Sequence, residues 1–460
     1  MQTPITKPRK NALLLLAICS GISVLWGYYL QQTSPGGMPD FRAIYYGARC
    51  ILHHRDPYLP ADFLSVYQQD GGEFPTRPDW YRNFRRAVPY CINLPTTLVY
   101  SLPLAMLPWW PAHLLWTLIL AVCLFLGVVL AWDLGADYSP GISLFLASFL
   151  AINCEVMFEL GNAAGIAVGL CMVAVWCFHR QRLPWLGVLC LAIPLAIKPQ
   201  DVAFIWLYFL LAGGDLRKRA LQSMAVTALF SLVAVLWIYH LAPHWMQEIQ
   251  ANIAATSARG DLNDPGPASI GNTGLGMMIS LQTVISVFKD DPDFYNMLTH
   301  LLFLPVLGVW AVVTLRTRTS EKAVWCALAA TAALSLLPIY HRQYDAKILL
   351  LAIPACAFLW RQGGVARWLA LAVTGMGFVF TADLPLGILR LFTQQLPLSP
   401  VSFHDKWMTV AIGRLAPLSV LLMGIFYLWL YVRQSRTIHQ QGEKGIEVVV
   451  PGNSNPTASQ

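Results

Sequence analysis

Long apolar runs separated by short polar segments set the pattern of this chain. Clear runs cover 219–240, 298–315, 321–339 and 409–432. About twenty apolar residues, each rising 1.5 Å along a helix, cross the roughly 30 Å hydrocarbon core of a bilayer. A soluble fold would instead have to bury about a dozen helices that have almost no polar face. The pattern therefore predicts an all-α polytopic membrane protein.

The composition agrees with a membrane location. Of the 460 residues, 56% are hydrophobic and only 12% are charged, whereas soluble globular chains carry about a quarter charged residues. The formal net charge is +7. Because the basic residues cluster beside the ends of apolar runs, membrane topology explains this charge better than a nucleic-acid partner does.

Six basic clusters predict which loops face the cytoplasm. The positive-inside rule places short Lys/Arg-rich loops on that side, and this choice makes the topology consistent from 162 onward. The clusters are Lys7/Arg9/Lys10, Arg180/Arg182, Arg217/Lys218/Arg219, Arg316/Arg318/Lys322, Arg361/Arg367 and Arg433/Arg436. The predicted spans are 162–178, 184–197, 200–213, 219–240, 298–315, 321–339, 346–360, 365–382 and 409–432. The predicted outer loops are 31–92, 241–297 and 383–408, with a short one at 340–345.

The first part of the chain contains a predicted membrane anchor, followed by an odd number of apolar pieces. The run 12–30 lacks a small-x-small cleavage site and is long enough to span, so it is interpreted as an anchor. Three further apolar pieces, 93–107, 112–132 and 141–158, must connect outside to outside. That connection requires an even number of crossings, so one of the three pieces must enter the membrane without crossing it.

One membrane domain, residues 1–436, and a flexible cytoplasmic tail, 437–460, are predicted. The tail is polar and lacks apolar periodicity. Cys50 and Cys91 both fall in the first outer loop and either pair in an oxidising compartment or remain two unrelated thiols. No CxxC or HExxH motif supports a metal site.

The first outer loop contains a predicted amphipathic helix over 40–54. Apolar residues recur at helical spacing, and Arg42 and Arg49 share nearly one face, as in a helix lying in the membrane interface. Asp40 is the first acid after the first span. It is either a general base that deprotonates an acceptor hydroxyl or the N-cap of the helix, and capping does not exclude catalysis.

Polar residues also crowd at two other outer span ends. The cluster HRQYDAK, 341–347, supplies two cations and a histidine, which suit a phosphate or pyrophosphate held close to the membrane. The alternative is a salt-bridged loop in which Asp345 pairs with Arg342 or Lys347. Lys198 ends an apolar run and either contacts a lipid phosphate or extends to the interface like many lysines.

The motif D-F-x-x-I-Y-Y-G-A…D-P-Y at 40–58 resembles the polyprenol-phosphate-mannose-dependent mannosyltransferases of glycosyltransferase family 87. Later features agree in order, namely NLPTTLVYSLPLAMLP, ELGNAAG, Lys198-Pro199 and the cluster at His341–Lys347. The resemblance covers residues 12 to 430. Family members often read G-Q-x-N at the span break, whereas this chain reads Gly161-Asn162-Ala163-Ala164.

The resemblance implies a GT-C fold with eleven to thirteen membrane helices, interfacial helices in the first outer loop, and no cofactor. It implies a hexosyltransferase that moves mannose from a polyprenyl-phosphate donor to a glycolipid or glycan acceptor. The site would lie at the outer face of a bacterial plasma membrane, with both termini cytoplasmic. The competing hypotheses are a transporter or flippase, a ligase for lipid-linked sugars, and a non-catalytic scaffold. A transporter would need polar residues at mid-span, where this chain has few.

The expected site has three groups of residues. The catalytic residues are Asp40, the base of an inverting transfer, and His341, a second essential polar group. The residues expected to bind the donor phosphate or lipid are Lys198, Arg342, Lys347, Arg85 and Arg86. The residues expected to bind substrate are Tyr45, Asp56, Tyr58, Asn162, Tyr344 and Asp345.

Overall fold

A computed structural model describes residues 7–33, 37–72, 90–267, 269, 278–316, 321–393 and 402–444. The helices of this part of the chain are α1 (Lys7–Thr33), α2 (Pro39–Leu52), α3 (Pro60–Gln69), α4 (Pro95–Tyr100), α5 (Leu102–Ala105), α6 (Trp109–Ala136), α7 (Pro140–Ile152), α8 (Glu155–Leu160), α9 (Ala164–His179), α10 (Pro184–Ile197), α11 (Pro199–Ala212), α12 (Gly214–Leu241), α13 (Trp245–Thr256), α14 (Leu281–Phe288), α15 (Pro292–Arg316), α16 (Glu321–Ser335), α17 (Ile353–Gln362), α18 (Gly364–Phe380), α19 (Asp383–Thr393), α20 (Phe403–Gly413) and α21 (Leu415–Lys444). A 3₁₀-helix, Asp345–Ala352, precedes α17. The described residues contain no β-strand, only one isolated bridge between Met278 and Arg342.

Within the described ranges, six helical segments are long and apolar enough to cross a bilayer, which confirms an all-α polytopic membrane protein. They are Pro8–Thr33, Trp109–Ala136, Pro140–Leu160, Gly214–Leu241, Pro292–Arg316 and Leu415–Ser435. A seventh candidate, α18 with the start of α19, is bent by 70°. Shorter apolar helices are Ala164–His179, Pro184–Ile197, Pro199–Ala212 and Lys322–Ser335. The described residues thus contain six candidate spans, or seven with the bent pair, which is fewer than the predicted eleven to thirteen membrane helices.

Of the three apolar pieces between 93 and 158, the segment 93–107 is the one without a helix long enough to cross. It forms only α4, of 6 residues, and α5, of 4 residues. At a rise of about 1.5 Å per residue, neither helix can span a bilayer. The two pieces that come after it contain full-length candidate spans.

Proline marks the first turn of many helices, because its fixed φ suits that turn and its missing N–H is not needed there. Helices α2, α3, α4, α7, α10 and α11 all begin in this way. Close packing then depends on small residues. A Cβ on Gly169 of α9 would overlap the Cys123 carbonyl oxygen of α6. The α6–α9 contact therefore requires glycine at this position.

One end of the bundle gathers basic residues from three of the clusters. Arg9 and Arg180 both reach Asp133, at 2.5 and 3.0 Å, and Arg180 also pairs with Asp137 at 2.6 Å. Arg361 donates to the Asp137 carbonyl at 3.3 Å. These clusters share one end of the molecule, as the predicted topology requires.

The predicted helix in the first outer loop forms as α2, but its setting differs from the prediction. Nine of its 14 residues are buried, and it packs against α3, α4, α5 and α8. It is therefore enclosed by protein along most of its length, because neighbouring helices cover the apolar face that the sequence assigns to lipid. Cys50 on this helix and Cys91 are both buried free thiols.

At the other end of the chain, α21 continues to Lys444. The first part of the predicted flexible tail, 437–444, is therefore helical. Residues 445–460 lie outside the described residues.

Candidate active site

Asp40 lies in the first turn of α2, where the chain returns to the bundle after α1. The residue that caps this helix is Met38, in the left-handed region with φ 57°, and Asp40 is the second helical residue. The Met38 N–H donates to the Glu159 carbonyl at 3.0 Å, which ties the start of α2 to α8. Asp40 is therefore not the N-cap, and its carboxylate can take other partners.

Asn162 connects Asp40 to the rest of the site. Its Nδ2 donates to Asp40 Oδ2 at 2.7 Å. Its Oδ1 accepts from Lys198 Nζ at 3.0 Å and from the Ala164 N–H at 2.9 Å. Because one end of the amide donates and the other accepts, these contacts determine its orientation.

The break between α8 and α9 brings Asn162 against α2. Gly161 ends α8 with φ 65°, and its carbonyl accepts from Trp116 Nε1 at 2.8 Å. A Cβ at Gly161 would lie 2.7 Å from Met38 Cε and 2.8 Å from Phe41 Cβ. Glycine is thus required here both by the backbone conformation and by the closeness of α2.

Lys198 lies at the turn between α10 and α11 and meets three acceptors. Its Nζ donates to Asn162 Oδ1 and to Asp345 Oδ1, which pairs it with an acid 147 positions away. Asp201 Oδ2 is 3.2 Å from the same nitrogen, and the Tyr344 ring centroid is 4.9 Å away. The side chain is only 12% exposed, so this lysine does not extend to the interface.

Arg342 places a largely buried guanidinium group in the site. Asp345 Oδ2 accepts from the Arg342 backbone N–H at 2.8 Å, which holds the turn in place. The guanidinium donates to the Tyr340 hydroxyl through Nε, and to the Leu262 carbonyl and Asn263 Oδ1 through Nη2, at 2.8 and 3.3 Å. Its Nη1 has no hydrogen-bond partner among the residues that the structure describes.

His341 lies beneath this network and is fully buried. Its Nδ1 is 3.2 Å from the Ile339 carbonyl, and its Nε2 is 3.3 Å from the Gln200 carbonyl and 4.0 Å from Asp201 Oδ1. Burial lowers the pKa of His341, so the neutral imidazole is favoured. With no exposed ring atom, His341 is placed to position its neighbours and has no open path to a substrate.

Burial, a hydrogen bond and nearby charges together set the pKa of the Asp40 carboxyl group. Burial among protein atoms raises the pKa of Asp40, and the Asn162 hydrogen bond and the charges of Arg342 and Lys198 partly oppose that rise. The residue nevertheless keeps partial exposure. Its Oδ2 is held by Asn162, while Oδ1 accepts from none of the described residues. A carboxylate of raised pKa with one open oxygen is suited to accept a proton.

The model of one protein family, glycosyltransferase family 87, matches residues 92–339 of this chain. The chain belongs to glycosyltransferase family 87. No curated protein and no solved structure matches it. The family-87 match contains Asn162, Lys198 and Arg342's partner Asn263, whereas Asp40 lies 52 residues before the matched segment and His341 two residues after it. Membership establishes a membrane glycosyltransferase, which acts on a sugar donor and an acceptor.

In this family-87 protein, most of the sequence-predicted polar residues converge. Asp40, Asn162, Lys198, Asp345 and Arg342 form a continuous set of contacts, with the Tyr344 ring over the lysine. The salt-bridged alternative for the cluster 341–347 paired Asp345 with Arg342 or Lys347. That pairing is wrong. The Asp345 carboxylate pairs with Lys198, which lies between α10 and α11, and it accepts from Arg342 only through the backbone N–H.

Lys347 lies apart from this set. Its Nζ is 3.5 Å from Asp383 Oδ1 and 3.4 Å from the Thr381 carbonyl. Asp383 Oδ2 in turn accepts from the Val156 N–H at 3.0 Å. The pair is almost fully buried, so it joins the bend between α18 and α19 to the start of α8. A role for Lys347 at a donor phosphate is not supported by this position.

The other predicted substrate residues make contacts within the protein. Tyr45 donates its hydroxyl to the Leu107 carbonyl at 2.8 Å, and Tyr58 donates to the Asn93 carbonyl at 2.8 Å. Asp56 accepts from the Tyr58 N–H at 2.8 Å. These contacts hold the first outer loop together and leave the three side chains no evident role at a substrate. Arg85 and Arg86 lie outside the described residues.

The sequence prediction missed two members of the site, Asp201 and Tyr340. Asp201 stands one helical turn after Lys198, a spacing at which helical side chains meet. Tyr340 directly precedes the cluster 341–347 and binds Arg342. An ionisable residue inside an apolar run is a signal that could have identified Asp201.

Proposed function

We propose that this family-87 protein transfers one hexose, with mannose as the first candidate, from a polyprenyl-phosphate donor to a glycolipid or glycan acceptor. The transfer inverts the configuration at the anomeric carbon, and Asp40 is the general base. The site faces the outer side of a bacterial plasma membrane. The observation that carries the proposal is the Asp40 carboxylate, held through Oδ2 by Asn162 and open at Oδ1, in the field of the Arg342 cation.

The step that we propose is a single displacement. The acceptor oxygen attacks the anomeric carbon while its proton passes to Asp40 Oδ1. The bond between that carbon and the phosphate oxygen breaks, and the electron pair remains on the phosphate. One carboxylate is sufficient, because a phosphate leaves without the protonation that glycoside hydrolases obtain from a second carboxyl group.

The leaving phosphate needs positive charge placed in advance. Arg342 supports this role, because its Nη1 is without a described partner while Nε and Nη2 hold the guanidinium in place. Lys198 is a second candidate contact. Its ammonium contacts Asn162, Asp345 and Asp201, so it would act on the phosphate through its charge. No cofactor is part of this proposal.

A transfer assay with purified protein in nanodiscs tests the function. Radiolabelled polyprenyl-phosphate-mannose and a crude glycolipid extract are supplied to the wild type, Asp40→Asn and Asp62→Asn. Asp62 is a matched control, since it also stands in the first turn of a helix in the same loop but pairs with Arg55 at 3.2 Å. We expect label to move to a new lipid or glycan with the wild type and Asp62→Asn only.

Two outcomes would contradict different parts of the proposal. Full activity of Asp40→Asn would show that another group is the base. No transfer by the wild type from mannose, glucose or arabinose donors would contradict the proposed polyprenyl-phosphate-sugar donor. Retained monodisperse elution of Asp40→Asn in detergent separates lost chemistry from lost folding.

A further inference from the structure

Asp201 is a buried acid that the proposed reaction does not use. It lies in the first turn of α11, is 1% exposed, and stands 3.2 Å from Lys198 Nζ. Both of its carboxylate oxygens are enclosed, and no described residue other than Lys198 donates to them. A buried carboxylate with unfilled acceptors is costly, so it persists only where a nearby positive charge compensates it.

The compensating charge is Lys198. Asp201 Oδ2 is 3.2 Å from Lys198 Nζ, so the two side chains form a buried salt bridge. Asp345 holds the same ammonium differently, since its Oδ1 takes the lysine and its Oδ2 takes the Arg342 N–H. Lys198 is thus held by two carboxylates from two separate segments of the chain.

The position of the Lys198 ammonium matters because Asp40 is linked to it through a single amide. Lys198 donates to Asn162 Oδ1, and Asn162 donates to Asp40 Oδ2. A shift of the ammonium toward Asp345 would pull away from Asn162, and the amide would then lose one of the contacts that orient it. Asp201, whose Oδ2 lies 3.2 Å from the same ammonium, is a second acid that opposes that shift.

We propose that Asp201 is a positioning residue, which holds Lys198 in contact with Asn162 and thereby holds the Asp40 carboxylate in its working orientation. The role in the reaction rests on the proposed function, whereas the contact between Asp201 and Lys198 does not. Asp201 touches no substrate and acts through Lys198.

Other ionisable groups also face Asp201 and have to be considered in any pH profile. They are Lys198 on its own helical turn, His341 and Asp345 from the segment after α16, and Cys171 from α9. Since Asp40 is not among them, a change at Asp201 reaches Asp40 through Lys198 and Asn162.

The first test measures the contact without any substrate. Melting temperatures are compared for the wild type, Lys198→Met, Asp201→Asn and the double variant. Lys198→Met leaves Asp201 and Asp345 without their cation, so we expect a lower melting temperature. Adding Asp201→Asn should then raise it by about 2 °C or more. If Lys198→Met does not fold, recovery of folded protein in the double variant is the equivalent result.

The matched control is Asp383→Asn in the Lys198→Met background. Asp383 is also a buried acid paired with a buried lysine, but its partner is Lys347 at 3.5 Å. We expect no recovery from it. A double variant Lys198→Met/Asp201→Asn that melts no higher than Lys198→Met would overturn the proposed contact, whatever the transfer assay shows.

The second test asks whether the contact serves the reaction. For Asp201→Asn we expect kcat to fall about tenfold to a hundredfold, since small displacements of a catalytic group have effects of that size. We also expect the donor KM to change little and the acid limb of the kcat/KM profile to move to higher pH. In Asp383→Asn the acid limb should not move. Reduced stability of Asp201→Asn with an unchanged kcat and acid limb would overturn the positioning role.

Discussion

Asn162 holds Asp40 by a 2.7 Å hydrogen bond from Nδ2 while its Oδ1 accepts from Lys198 at 3.0 Å. This amide therefore joins the proposed base to the cationic part of the site. Family members often carry a glutamine at the span break, and in this chain Asn162 provides the link to the carboxylate.

Asn162→Ala should reduce transfer without removing the base. Loss of the hydrogen bond frees Asp40 to rotate, so we expect kcat to fall about tenfold to a hundredfold. Asn153→Ala is the control, because Asn153 also lies at a helix break but its Oδ1 accepts from the Leu384 N–H at 3.2 Å. Equal losses of kcat in the two variants, measured per folded molecule, would argue against a specific role for Asn162.

The pH dependence of transfer should report the environment of Asp40. Burial raises the pKa of Asp40 above its ordinary value of about 3.9. A base must be deprotonated, so activity is present above the raised pKa and is lost as the pH falls through it. The acid limb of kcat/KM should therefore lie above about pH 3.9, and it should move higher in Asn162→Ala, which loses a pKa-lowering hydrogen bond. A limb that stays in place in this variant would contradict Asp40 as its source.

Gly161→Ala should disturb both folding and catalysis. An alanine there would have to adopt φ 65° and place its Cβ 2.8 Å from Phe41 Cβ, next to Asp40. We expect a loss of about 2–4 kcal/mol in stability from strain and overlap together, and a lower kcat in the protein that folds. In Gly71→Ala, φ is 83° but no atom lies within 4 Å of the added Cβ. That variant should show strain alone, with normal kcat by the same transfer assay.

His341→Ala should lower kcat strongly although the side chain touches no solvent. The imidazole lies between the Gln200 carbonyl of α11 and the Ile339 carbonyl, so its removal leaves a gap beneath Lys198 and Arg342. We expect a loss of about a hundredfold in kcat with a donor KM changed only a few-fold. Normal kcat in folded His341→Ala would contradict this role, and a variant that fails to express would indicate a purely structural one.

Substitutions in the Lys347–Asp383 pair should lower the melting temperature and leave the acid limb of the kcat/KM profile unchanged. Removing one partner of a buried ion pair costs about 3–5 kcal/mol because the other charge is left uncompensated. Lys347→Met should therefore lower the melting temperature, and Lys347→Met/Asp383→Asn should recover part of it. A lower donor affinity in the double variant would instead support the prediction that Lys347 binds the donor phosphate.

Much of the fold is set by local properties of the chain. The span lengths come from apolar runs, and helix starts come from prolines such as Pro39 and Pro199. The candidate site residues could also be predicted, because charged groups at the ends of apolar runs are costly and seldom incidental. Asp40, Lys198 and Arg342 are identified in this way.

The sequence by itself thus determined an all-α membrane protein with polar groups gathered at span ends. Only the tertiary structure decided which of those groups meet. Lys198 pairs with Asp345, and Lys347 pairs with Asp383, although Asp345 and Lys347 are two positions apart. Helical side chains two positions apart do not face each other, so each turns to a different neighbour. Ion pairing depends on distance in space, which helix packing sets and local sequence does not.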